Sequence, residues 1–255
     1  MNHNAKQTVK YFVVAFIISL IVGYVFSSVF SNAEEIYVDK ENDFDIVDTE
    51  FEGIRLLTLN QKEELYTIKF ELPVFESGGL NNFFKGYMQR TQKQFLSDIR
   101  NNVSKERPGS LYVSLDIYPS GEQLYSLVFK EEFYTGGANV NQISHVWMVD
   151  LESNHIIRQA DLFKNIKEAR KVIMPKVQEA LLAQPELGVF EDELEEWVNN
   201  QNYLFGNMFI RDGNLSFIFD KYEITPGAAG MPEVNIPMDD EIKALFKDEW
   251  KKRLK

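Results

Sequence analysis

Three histidines, His3, His145 and His155, are all that the chain offers for imidazole chemistry. No two stand four residues apart and no HExxH occurs, so the ligand set of a zinc hydrolase is missing. A Ser-His-Asp triad would have to use His145 or His155, and no GxSxG elbow accompanies either. The simpler reading is a partly exposed strand histidine. The chain has no cysteine, which excludes structural disulfides, thiolate metal sites and a Cys nucleophile. Gly136-Gly137 lacks the Gly, Lys and Ser/Thr that would follow in a phosphate-binding loop.

Carboxylates are abundant. Glycoside cleavage needs two of them about 5–10 Å apart across a sugar. Glu131-Glu132 and the run Glu191, Asp192, Glu193, Glu195 and Glu196 read more simply as solvated faces. Oxygen ligands for calcium gather at Asp212-Gly213-Asn214 and Asp239-Asp240-Glu241, without the spacing of an EF-hand loop. Asp239-Asp240 suits the acidic start of a last helix better. No catalytic residue, metal or cofactor is therefore expected.

The bulk composition bounds what such a chain can bind. Hydrophobic residues make up 44% and aromatics 13% of 255 residues, enough for a sizeable core. The formal net charge is −12. Nucleic acid is bound mainly through Lys and Arg, so it is a disfavoured partner, whereas a cationic partner is favoured.

Tyr11 to Phe30 is a run of twenty residues without a charge, long enough as a helix to span a bilayer core of about 30 Å. Lys6 and Lys10 precede it, and Glu34, Glu35 and Asp39 follow. The positive-inside rule then puts residues 1–10 in the cytoplasm as a stub and the rest outside. The competing reading is a cleaved signal peptide, with Ser31 and Ala33 as the small residues of the cut; the protein would then be secreted. Either way the bulk lies outside the cytoplasm. Without the two stub lysines, that exterior is two charges more negative than the whole.

Segment 31–50 reads as an acidic linker, within which Phe44 to Val47 could form a short edge strand. Tyr66 to Leu72 alternates apolar and polar, as a half-buried strand does. Leu80, Phe83, Phe84, Tyr87, Met88, Phe95 and Ile99 recur at helical spacing. Leu111–Tyr118 and Leu124–Phe129 predict a hairpin around Pro119-Ser120-Gly121, and Val146 to Leu151 another strand. Ile166 to Leu181 is a helical stripe that Pro175 must kink or shorten. Phe190, Leu194, Trp197 and Val198 mark a short helix. Met208 to Phe219 carries two strands around Asp212-Gly213, a hairpin signal. Ile242, Leu245, Phe246 and Trp250 predict one C-terminal amphipathic helix. The fold class is α+β, a mixed sheet-and-helix domain after the N-terminal helix. Its first half runs over 51–135 and its second over 136–255.

Two stretches make unusual demands on the backbone. The first, Phe133-Tyr134-Thr135-Gly136-Gly137-Ala138-Asn139, leads to Asp150-Leu151 and Asp161-Leu162-Phe163. The second is Tyr222-Glu223-Ile224-Thr225-Pro226, ending at Gly230. In this order they resemble the extracellular domain shared by the lysozyme-sensing anti-sigma factor RsiV and the non-catalytic N-terminal part of the peptidoglycan deacetylase PdaC, over most of Glu50 to Lys255. Asn139 stands where that family usually has His, and Gly227 where an aromatic often follows the proline. Neither a sigma-binding cytoplasmic segment nor a metal-binding His-x-x-x-His catalytic domain is expected here.

The resemblance implies a membrane-anchored binding or sensor module of the cell envelope. Its partner would be a cationic protein such as lysozyme, or peptidoglycan, with Tyr134, Gly136, Gly137, Asn139, Tyr222, Pro226 and Gly230 as candidate ligand-binding residues. A regulator whose ligand exposes Ala33 to proteolysis, and a cell-wall hydrolase using a carboxylate pair, are the alternatives.

Overall fold

The computed structural model describes residues 43–254. The apolar run Tyr11–Phe30, with Ser31 and Ala33, lies outside the described residues. Among the described residues no helix is long and apolar enough to cross a membrane.

The architecture is α+β. Seven strands form one sheet in chain order: β1 (Asp43–Asp48), β2 (Ile54–Lys62), β3 (Tyr66–Phe75), β4 (Gly109–Gly121), β5 (Leu124–Tyr134), β6 (Asn141–Asp150) and β7 (His155–Ile157). β1 is an edge strand inside the acidic segment. Neighbours pair antiparallel except β3 and β4, which run parallel, with Tyr66 opposite Gly109 and Phe70 opposite Val113. A parallel pair needs a crossover, and α1 (Gly78–Ile99) supplies it. The Ser77 hydroxyl accepts from the Leu80 N–H at the helix start. One turn on, the Asn81 amide accepts from the Phe75 N–H and donates to the Phe75 carbonyl, both at 2.9 Å.

Strand period decides what lies between the layers. Leu127 and Phe129 of β5 face α1 and are sealed there with Phe70, Phe84 and Tyr87. Burying a large apolar side chain of this kind contributes about 2–3 kcal/mol over leaving it in water. Val128 of β5 and Val146 of β6 face the other way, onto Phe209 and Ile218 of a second sheet. That sheet has the order β10-β9-β8, from β8 (Met208–Arg211), β9 (Asn214–Ile218) and β10 (Glu233–Pro237). Asp212 and Gly213 turn β8 into β9 at φ 50° and 73°, both positive as a type I′ turn requires. Behind the second sheet, α2 (Ile166–Leu182), α3 (Glu191–Asn199) and α4 (Asp240–Leu245) close another core around Val177, Leu194, Phe217 and Ile242. The order is helix, large sheet, small sheet, helices.

Three elements depart from their sequence expectation. Pro119-Ser120-Gly121 is not the reversal between β4 and β5. β4 continues through a bulge there, and the chain turns at Glu122-Gln123, with Gln123 at φ 52°. Ser120 is held inward instead: its Oγ lies 2.7 Å from Ser126 Oγ and donates to the Ile210 carbonyl at 3.0 Å. The single C-terminal helix is two short ones, α4 and α5 (Asp248–Arg253). Phe246 between them is extended, bridges Phe163 and stacks on its ring at 5.0 Å. The Lys247 N–H donates to the Leu162 carbonyl at 2.9 Å, so tertiary pairing wins over the helical period. Finally, of the two effects expected of Pro175, kinking or shortening, the second does not occur: α2 runs through it. Pro175 is exposed, so water can reach the carbonyl that its missing N–H leaves unpaired.

Candidate functional site

β5 ends at Tyr134 and β6 begins at Asn141, so the glycine pair spans the hairpin end between two long strands. Gly136 sits at φ 98°, and a Cβ there would lie 1.9 Å from the Asn102 carbonyl oxygen. Only glycine fits this approach. Arg107 clamps the same loop. Its guanidinium lies 5.7 Å from the centre of the Tyr134 ring, and its Nη2 donates to Tyr134 Oη and, at 3.3 Å, to the Gly137 carbonyl. Tyr134 and Gly136 thus fasten the loop to segment 102–107, while Gly137 and Asn139 are exposed.

The second loop leaves the small sheet after β9. Asp220 anchors it: Oδ1 accepts from the Ser144 N–H at 2.7 Å and the Ser144 hydroxyl at 2.9 Å. Lys221 donates from its N–H to the Gln142 carbonyl at 3.1 Å and from Nζ to the Val140 carbonyl at 2.8 Å. The two loops therefore meet along the first residues of β6. Tyr222 is 49% exposed and sits at φ 72°, a costly conformation for a bulky residue. Its ring lies over Gly227, where a Cβ would meet ring carbons at 2.2 Å. The aromatic expected after the proline is absent, and the Tyr222 ring fills its space. The Ala229 N–H donates to the Pro226 carbonyl at 2.9 Å, closing a short 3₁₀ turn that ends on Gly230 at φ 68°. Tyr222, Pro226 and Gly230 belong to one braced platform.

A helix that the sequence reading left apart flanks this platform. The Phe190 N–H donates to the Ile224 carbonyl at 2.8 Å, and a Cβ at Gly188 would lie 3.7 Å from the Pro226 ring. α3 starts at the next residue, and its Glu191, Asp192, Glu193, Glu195 and Glu196 are all exposed. Phe190 is itself 38% exposed. Two accessible aromatics thus stand beside five carboxylates. Nothing in the order of residues signals this, because strands β8 and β9 and the turn between them separate α3 from the loop.

Glu131 corrects another expectation. It is not on a solvated face but 4% exposed, in strand alternation with Phe129 and Phe133. That alternation was visible in the sequence. His145 is half-buried on β6, stacked on Trp147, with its Nε2 3.1 Å from Glu131 Oε1. Asp239 caps α4 by accepting from the Ile242 N–H at 2.9 Å and pairs with Lys176. Among the described residues no group of three or more His, Asp or Glu is placed to hold a metal ion.

Sequence comparison bears on the segment that builds the platform. Residues 160–239 match the DUF3298 family model. That family is described as a protein of unknown function, and the matched stretch takes in Tyr222, Pro226 and Gly230 but not the glycine loop. Two solved structures of DUF3298 proteins share the fold. One from Bacteroides fragilis is 16% identical, covering 81% of this chain and 94% of its own at a TM-score of 0.53. One from Pseudomonas aeruginosa is also 16% identical, covering 84% of this chain and 97% of its own at a TM-score of 0.56. The peptidoglycan-N-acetylmuramic acid deacetylase PdaC of Bacillus subtilis is 20% identical over 204 residues, 79% of this chain. The chain spans 42% of that relative's length.

Proposed function

We propose that this protein is a non-catalytic, membrane-anchored binding domain of the cell envelope that takes a basic protein at the Tyr222–Gly230 platform, lysozyme being the candidate the resemblance names. One observation carries the reading: exposed Tyr222 and Phe190 stand beside the exposed carboxylates of α3 on a loop already braced by Pro226 and Gly230. Aromatic anchors supply most of the binding energy at protein interfaces. Carboxylates around them steer a cationic partner and reject anionic ones. A loop fixed before binding has less conformational freedom to lose.

Similarity to a peptidoglycan deacetylase supports a second ligand, peptidoglycan itself. Titrating lysozyme into the protein at low and physiological salt, beside co-sedimentation with purified peptidoglycan, separates the two. Saturable, salt-weakened lysozyme binding supports the first reading. Sedimentation without lysozyme binding puts peptidoglycan in its place. Hydrolysis or deacetylation of the glycan by the purified chain would contradict the non-catalytic assignment.

A further inference from the structure

On the helix-covered face of the large sheet, a cavity of about 330 Å³ opens between the C-terminal half of α1 and strands β4 to β6. That is the volume of a small-ligand pocket. Its floor is apolar: Phe95 from the helix, with Leu111, Phe133 and Ile143 from three adjacent strands. One carboxylate interrupts this floor. A buried charge is costly unless hydrogen bonds hold it, and Glu131 has two, both on the same oxygen, with an imidazole beside it. Oε1 accepts from Tyr87 Oη at 2.6 Å and Thr91 Oγ1 at 3.3 Å, and lies 3.1 Å from His145 Nε2. Burial first, and then the charge of Glu131, pushes the Tyr87 pKa far up, so its hydroxyl stays protonated and donates. Among the described residues nothing donates to Oε2. Nor is that oxygen sealed from solvent, since among the described residues only Thr225 Oγ1 is a fully buried side-chain oxygen or nitrogen without a partner. Glu131 therefore offers the cavity one rigid acceptor.

The rim adds Arg90 and Asp98 from α1. The Asp98 Oδ1 accepts from Gln94 Nε2 at 2.8 Å, which fixes it as a second acceptor. The lining carries charges of both signs, so neither an anionic nor a cationic ligand meets a field of one sign there. What remains favoured is a neutral molecule with several hydroxyls on one edge and an apolar face for Phe95 and Phe133. We propose that this cavity binds a single neutral sugar ring, a hydroxyl of which donates to Glu131 Oε2. The site is separate from the protein-binding platform, and the two proposals can fail independently.

Ligand-observed NMR on the purified full chain tests it, with N-acetylglucosamine as the neutral probe and glucosamine and glucuronate as cationic and anionic counterparts. The neutral sugar is expected to bind with a millimolar Kd, tighter than either charged one. Glu131→Gln keeps an oxygen for Tyr87, Thr91 and His145 but removes the free acceptor, and should weaken binding about tenfold. Gln94→Trp, at an exposed helix position on the rim, should fill the cavity and abolish binding without depending on the buried carboxylate. The proposal falls if no probe binds at about 50 mM, above the affinity range of a one-ring ligand. It also falls if a charged probe binds best, or if neither variant changes the affinity.

Discussion

Tyr222 and Gly227 work as a pair: the ring occupies the space that a side chain at 227 would take. The atoms in the way are the far end of an exposed ring, so the ring can swing out at little cost to the fold. Gly227→Ala should therefore shift the Tm by about 2 °C at most, the range of a surface change. If Tyr222 is a main anchor, its displacement costs about 2 kcal/mol of binding, roughly thirtyfold in Kd. Calorimetry and titration on the same variant read both numbers. A large Tm loss with unchanged affinity would make the ring a structural brace instead. The family resemblance pointed to Tyr222, Pro226 and Gly230. It could not show the ring lying over Gly227, which depends on the positive φ of Tyr222.

At the scale of elements, what local periodicity encodes was legible. The spacing of Phe84, Tyr87 and Phe95 marked α1, and Asp212-Gly213 marked the β8–β9 hairpin. Two of the misses share a physical cause, tertiary partners that local periodicity does not encode. Ser120 turns inward because Ile210 and Ser126 receive it, and the C-terminal helix breaks because Phe246 pairs with Phe163. Glu131 was missed although its strand period was readable, because acidic composition suggested a solvated face. Pro175 offers a test of how far α2 tolerates a local fault. Proline in a helix interior costs about 3 kcal/mol against alanine, and alanine returns about 1 kcal/mol of freedom to the unfolded chain. Pro175→Ala should thus stabilise the protein by about 2 kcal/mol in a denaturant titration. A destabilised variant would mean that the helix around Pro175 is shaped for something other than stability.

Across the whole molecule, the C-terminal segment ties the last helix back to the large sheet. Arg253 Nη2 and Nη1 donate to the two oxygens of Asp150 at 2.7 and 3.1 Å, and Arg253 also donates to the Glu122 carbonyl at 3.0 Å. Burial alone would raise the Asp150 pKa. The Arg253 guanidinium and the Ser153 hydroxyl more than offset it, and the net shift is downward. A carboxyl whose folded pKa is depressed adds stability above its unfolded value of about 3.9, and that stability is lost as pH falls through the folded value. Arg253→Met should cost about 2 kcal/mol at neutral pH, and the gap from the parent should close as pH drops below about 4. Unfolding curves at neutral and acid pH would show it; a gap constant with pH would remove the ion pair as its cause.

The net charge of −12 acts at the same scale, and α3 concentrates it beside the aromatic platform. Replacing Glu191, Asp192, Glu193, Glu195 and Glu196 by their amides keeps side-chain size and removes the local field, with circular dichroism checking that the fold is kept. The decisive measurement is the lysozyme Kd of parent and amide variant, at about 20 mM and about 150 mM salt, where the screening length falls to about 8 Å. The account predicts saturable binding by the parent that weakens with salt. The variant should bind at least about tenfold more weakly at low salt, with a flattened salt dependence. Absence of parent binding at both ionic strengths, or equal affinity of parent and variant at low salt, would contradict it.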